Sequence, residues 1–131
     1  MAADQSPSPA WRVADVVMLV IFLLSAAVQV NDPDPVLWIG LYALAAGATL
    51  LSVLGRSRWW IPALITCLTI AWAATIAPRV LGRVPFGEMF GAWEMRDIGI
   101  EESRELYGLL IVAAWMLVLT VRAWRGSAQR A

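Results

Sequence analysis

The sequence predicts an all-α membrane protein: a bundle of four transmembrane helices, with a short amphipathic interfacial helix between helices 3 and 4. Three observations carry this. The 131-residue chain is 60% apolar with a mean hydropathy of +0.69, well beyond the balance of a soluble domain. Its apolar residues fall into four runs long enough for a hydrocarbon core of ~30 Å, which takes about twenty helical residues. The runs are separated by compact polar stretches rich in proline, arginine or acid, the composition of corners at a membrane surface.

Residues 1–12 contain Ser-Pro-Ser-Pro and little that packs, and read as a disordered N-terminal tail closed by Trp11 and Arg12 at the interface. The transmembrane domain then occupies residues 13–125, with spans at about 13–30, 36–54, 59–77 and 102–124, and 126–131 form a C-terminal tail. The first span is interrupted only by Asp15, Ser25 and Gln29. Asp15 is expected to cap its start, the lesser reading being a buried proton carrier. A cleaved signal peptide is the rival reading of this run, with Ser25-Ala26-Ala27 as the small-residue site. The length of the run and the single arginine ahead of it argue for a retained helix.

The second span carries Ala43 and Gly47, a small-xxx-small pair suited to close helix approach. The turn Gly55-Arg56-Ser57-Arg58 leads to Trp59 and Trp60 at headgroup level. In the third span Pro62 is tolerable in the first turn, and Pro78 is expected to end the helix. Ala63, Cys67, Ala71 and Thr75 recur every four residues and are expected to form its packing stripe. Phe86, Met89, Phe90 and Trp93 then fall at helical spacing, which predicts the interfacial helix. Trp11, Trp38, Trp59, Trp60 and Trp124 are expected as interfacial anchors, and Trp72 and Trp115 within the bundle.

Arginine placement sets the expected orientation. Arg12, the Arg56/Arg58 turn and the trio Arg122, Arg125 and Arg130 fall on one side, whereas the first corner has two acids and no base. Both termini are therefore expected in the cytoplasm of an inner or plasma membrane. Arg79, Arg83, Arg96 and Arg104 in the third connection count against this assignment.

Several function classes drop out. All ten basic residues are arginine and are balanced by ten acids, so no basic excess exists to hold nucleic acid. With no histidine and a single cysteine, Cys67, a zinc, haem or copper site is disfavoured. No phosphate loop, Ser/His/Asp triad or Cys/His pair can be drawn. The expectation is a protein that is not an enzyme and has no cofactor.

The candidate binding cluster comes from two polar stretches, Gln29-Val30-Asn31-Asp32-Pro33-Asp34-Pro35 and Glu101-Glu102-Ser103-Arg104-Glu105. Each has a purely structural reading. Asn31 suits a left-handed helix C-cap, and Asp34-Pro35 suits an aspartate N-cap with proline at the first helical position. Glu101, Glu102 and Glu105 suit the positive end of a helix dipole, with Arg104 paired to Glu101. Asp32 has no evident capping duty. If the stretches converge, Gln29, Asn31, Asp32, Asp34, Glu101, Glu102, Arg104 and Glu105 form one polar face. Asp32, Glu101 and Glu105 would suit a hard cation if they hold a metal at all.

At these stretches the chain resembles the transmembrane protein 220 family. The resemblance is carried by Val28-Gln29-Val30-Asn31-Asp32-Pro33-Asp34 with Trp38 and Tyr42, and by Glu101-Glu102-Ser103-Arg104-Glu105-Leu106-Tyr107-Gly108-Leu109 with Trp115. Phe86-Gly87-Glu88-Met89-Phe90 and Trp93-Glu94-Met95 are similar to the connection in bacterial members, whereas animal members carry further chain beyond the last motif. The resemblance implies a small multi-pass membrane protein with an uncleaved first helix, and implies no activity. The leading functional expectation is an accessory or assembly subunit docking through the acidic outer face, on a membrane-protein partner or a second copy within the lipid bilayer. The alternative is small-molecule or cation binding or transport through a pocket formed by the same residues.

Overall fold

The computed structural model describes residues 8–80 and 98–130. They form four long helices: α1 (Pro9–Val28), α2 (Pro35–Val53), α3 (Trp60–Val80) and α4 (Ile98–Arg130). Four helical stretches are long and apolar enough to cross a membrane: Pro9–Asn31, which runs on through a short turn after α1, Pro35–Val53, Trp60–Pro78 and Arg104–Ala128. The all-α, four-span class expected from the sequence is the class observed. The expected interfacial helix around Phe86, Met89, Phe90 and Trp93 lies outside the described residues.

α1 begins earlier than the apolar run suggests. Ser8 is its N-cap, with its Oγ accepting from the Trp11 amide at 3.4 Å and Pro9 at the first helical position. Asp15 therefore lies six residues inside the helix and does not cap it, contrary to expectation. A short hydroxyl and a proline with a preset φ suffice to start the helix, which leaves the aspartate for another role.

At the other end of α1 the chain tightens into a 3-10 turn, Gln29–Asn31, and leaves in an extended conformation at Asp32 (φ −76°, ψ 148°). Asn31 is not left-handed: no described non-glycine residue has positive φ. The following proline-rich stretch supplies the change of direction instead. α2 ends in a Schellman motif. The Arg56 amide donates to the Leu51 carbonyl at 2.8 Å and the Gly55 amide to the Ser52 carbonyl at 3.1 Å, with Gly55 at φ +70°.

The chain divides into two compact units, one from Met1–Ile65 with Met116–Ala131 and the other Thr66–Trp115. In the first, α1 and α2 lie side by side, with the Phe22 and Tyr42 rings 6.5 Å apart and Tyr42 and Trp38 6.3 Å apart. Trp38 is buried, so the interfacial role expected for it is not the one observed. Trp11, Trp59, Trp60 and Trp124 are exposed as expected of anchors.

The small residues of α2 do pack, but in a different register from the expected one. Ala45, Thr49, Ala48 and Ser52 are buried, whereas Ala43 and Gly47 face outward. Thr49 is accommodated by donating to the Ala45 carbonyl at 2.8 Å. A four-residue spacing fits every face of a helix, and the chain offers it on several.

The second unit shows the same displacement. Thr66, Thr69, Ala73, Ile76 and Val80 are its buried α3 positions, and Cys67, Ala71 and Thr75 of the expected stripe are exposed. Trp72 and Trp115 are half-buried. Pro78 lies inside α3, which continues to Val80. Only the last turn follows the proline, so the missing amide costs one hydrogen bond at an end that frays anyway.

Candidate functional site

Asp15 is a charged residue with no exposure at all. Its Oδ1 accepts from Arg122 Nη1 at 2.6 Å, and its Oδ2 accepts from Arg122 Nη2 at 3.2 Å and from Ser52 Oγ at 2.7 Å. This is a two-pronged guanidinium–carboxylate pair with a hydroxyl as third donor. The Arg122 guanidinium also lies over the Trp11 ring, 4.2 Å from its centroid, and its side chain is 19% exposed. Three helices thus meet at one carboxylate: α1 through Asp15 and Trp11, α2 through Ser52, and α4 through Arg122.

The sequence explains how each arrives there. Trp11 and Asp15 are four residues apart on α1, hence on one face. Ser52 belongs to the buried face of α2 that includes Ala45, Ala48 and Thr49. Arg122 sits where α4's apolar run gives way to polar residues. A lone charge in an apolar span is costly, and pairing with a fork-shaped cation and a hydroxyl removes most of that penalty. No buried side-chain nitrogen or oxygen among the described residues lacks a hydrogen-bond partner.

Sequence reasoning missed this centre, treating Asp15 as a cap and Arg122 as one of the trailing arginines that set orientation. The available signal was an acid inside an apolar run together with a base at the end of another. Their separation of 107 positions concealed the pairing.

The corner at residues 29–35 occupies the opposite end of α1, some fourteen residues or about 21 Å along the helix from Asp15. Asn31 and Asp34 are exposed there, while Gln29 and Asp32 are partly covered. Asp32 does have a duty: its Oδ1 accepts from the Asp34 amide at 2.9 Å, an Asx turn that shapes the corner. Asp34 occupies the N-cap position of α2, with Pro35 after it, yet makes no side-chain cap bond. The expected division of labour between the two aspartates is therefore reversed.

Glu101 and Glu102 fall in the first turns of α4, with Arg104 exposed and Glu105 partly covered beyond them. The two polar stretches belong to different compact units, each with its own geometry. No cluster of three or more metal-ligating side chains occurs among the described residues.

Four apolar helices, one clasped to two others through a buried carboxylate, define a multi-pass integral membrane protein. The chain belongs to the family described as "Transmembrane family 220, helix", whose model matches residues 21–121. It is similar to transmembrane protein 220 of Xenopus laevis, with 33% identity over 114 residues, covering 82% of this chain and 57% of the frog protein. The chain thus spans a little over half the length of that relative. No solved structure matches it. The family match includes both polar stretches and Ser52, but Asp15 lies ahead of it and Arg122 one residue beyond it.

Proposed function

We propose that the protein is a non-catalytic accessory or assembly subunit of a larger membrane complex, docking through the polar stretches at residues 29–35 and 101–105. The observation that supports this is the exposure of the corner: Asn31 and Asp34 point outward from a turn that Asp32 holds from within. A preshaped, exposed turn suits recognition by a partner, because little conformational freedom remains to be lost on binding. Ala43 and Gly47 face outward on α2, which leaves that corner, and give a partner helix a smooth surface to approach. The arginine asymmetry supports a corner on the outer side and cytoplasmic termini.

The test is purification in a mild detergent followed by native mass measurement, with Asp32→Asn and Glu105→Gln as neutral variants. A stable larger assembly, of this chain or with another membrane protein, is expected, and both variants should weaken it. A monomer whose melting rises with Ca²⁺ or Mg²⁺, and loses that rise in both variants, would replace docking by the cation-binding alternative. A monomer indifferent to cations would sink both readings. Orientation is checked separately in a Cys67→Ala background. Cysteines at Ser57 and Ser127 should resist an impermeant thiol reagent in intact cells, and one at Asp32 should react.

A further inference from the structure

The end of the molecule that holds Asp15 carries a ring of charge that the docking reading does not use. Each helix that meets at this carboxylate has an arginine three or four residues further toward the membrane surface, within the helix or just past its end. On α1 it is Arg12, three residues before Asp15. Beyond α2 it is Arg56, four residues after Ser52, and on α4 it is Arg125, three residues after Arg122. All three are exposed, as is Arg58 in the same turn. The Schellman motif at Gly55 holds Arg56 against the end of α2 by the hydrogen bond its amide donates to the Leu51 carbonyl. The acid at this end among the described residues is Asp15, and it is fully buried and already matched by Arg122. Among the described residues, the positive charge of the ring therefore faces outward without local compensation.

The surroundings of the ring identify what it would meet. Trp11, Trp59, Trp60 and Trp124 are all exposed at this end, an aromatic belt that marks the headgroup level. Directly beneath the ring, Val13, Val16 and Val17 of α1 and Leu54 at the end of α2 are exposed. A surface that is cationic at headgroup level and apolar below it complements one molecule bearing an anionic phosphate above and acyl chains below. Guanidinium forks match phosphate oxygens two at a time, which favours arginine at such a surface. We infer that the Arg12, Arg56, Arg58 and Arg125 ring, with its tryptophan belt, is a binding surface for anionic phospholipid headgroups. The Asp15–Arg122 pair keeps it cationic by removing the nearby carboxylate from the surface.

The test uses the full chain in mild detergent, with phosphatidylglycerol and phosphatidylcholine of matched acyl chains as probes. Retained lipid is read by native mass spectrometry and stabilisation by the melting midpoint. Phosphatidylglycerol should be retained and raise the midpoint, phosphatidylcholine should do neither, and the preference should shrink as salt screens the charges. Each arginine near an anionic surface is worth about a fivefold change in affinity, so Arg12→Gln/Arg56→Gln/Arg125→Gln should weaken phosphatidylglycerol retention on the order of a hundredfold. The corresponding triple lysine variant keeps the charge and should retain most of the binding. Helix content by circular dichroism verifies that each variant is folded. Equal retention of the two lipids, or an undiminished preference in the folded glutamine variant, would overturn the inference. So would inorganic phosphate reproducing the stabilisation alone, which would mark a free-phosphate site.

Discussion

Asp15 and Asp32 lie near opposite ends of the first membrane span and use the same carboxylate in opposite ways. Asp15 is fully buried and bonded to residues 37 and 107 positions away. Asp32 is partly covered and bonded to an amide two positions away. One joins three helices; the other bends a backbone. The difference follows from depth. Inside an apolar span, water does not offset the cost of an ionised group, so its partners must come from other helices. At the corner water solvates the carboxylate, and a local turn bond is sufficient.

The sharpest way to break this contrast is to remove one partner from the buried pair. Arg122→Gln leaves Asp15 buried without its cation and should destabilise the protein by ~3–5 kcal/mol. Unfolding in mixed micelles titrated with a denaturing detergent, followed by circular dichroism, reads this directly. Asp15→Asn combined with Arg122→Gln should recover part of the loss, because two neutral groups are cheaper to bury than one unpaired charge. Effects of the two single variants that simply add would refute the clasp.

A smaller effect is expected from the third donor. Ser52→Ala removes a hydrogen bond to an ionised group and should cost ~1.5–3 kcal/mol in the same titration. In the Arg122→Gln background the cost should change, since both residues share one carboxylate. An identical cost in both backgrounds would mean that Ser52 acts through helix packing alone.

The smallest effects belong to the corner. Asp32→Ala removes the Asx-turn acceptor and should cost ~0.5–1.5 kcal/mol, while Asp32→Asn keeps an oxygen in place and should cost less. Asp34→Asn should leave the melting midpoint where it is, because the Asp34 carboxylate makes no capping bond. A larger loss at Asp34 than at Asp32 would restore the capping assignment read from the sequence.

What the sequence by itself determined is the set of properties that depend on local composition. The four spans follow from apolar run length against a fixed bilayer thickness, and the corner follows from Asn31-Asp32-Pro33-Asp34-Pro35, whose residue types favour turns. The exposure of Trp11, Trp59, Trp60 and Trp124 was legible for the same reason: each lies where an apolar run meets a polar flank. Even at the corner, which aspartate bends the chain and which merely precedes the helix depended on backbone angles that two adjacent Asx-Pro pairs leave open.

Only the tertiary structure decided which face of each helix is inward. Ala43/Gly47 and Ala45/Thr49 are equally good small-residue pairs by spacing, and so are several sets on α3. In a chain whose lipid-facing and buried surfaces are both apolar, hydrophobic periodicity carries little information about register. The same degeneracy hid Trp38 in the interior and Cys67 on the outside. The Asp15–Arg122–Ser52 centre was hidden more deeply. Its three members come from three helices, and a carboxylate's partner inside a membrane is chosen by proximity in space, which no local pattern records.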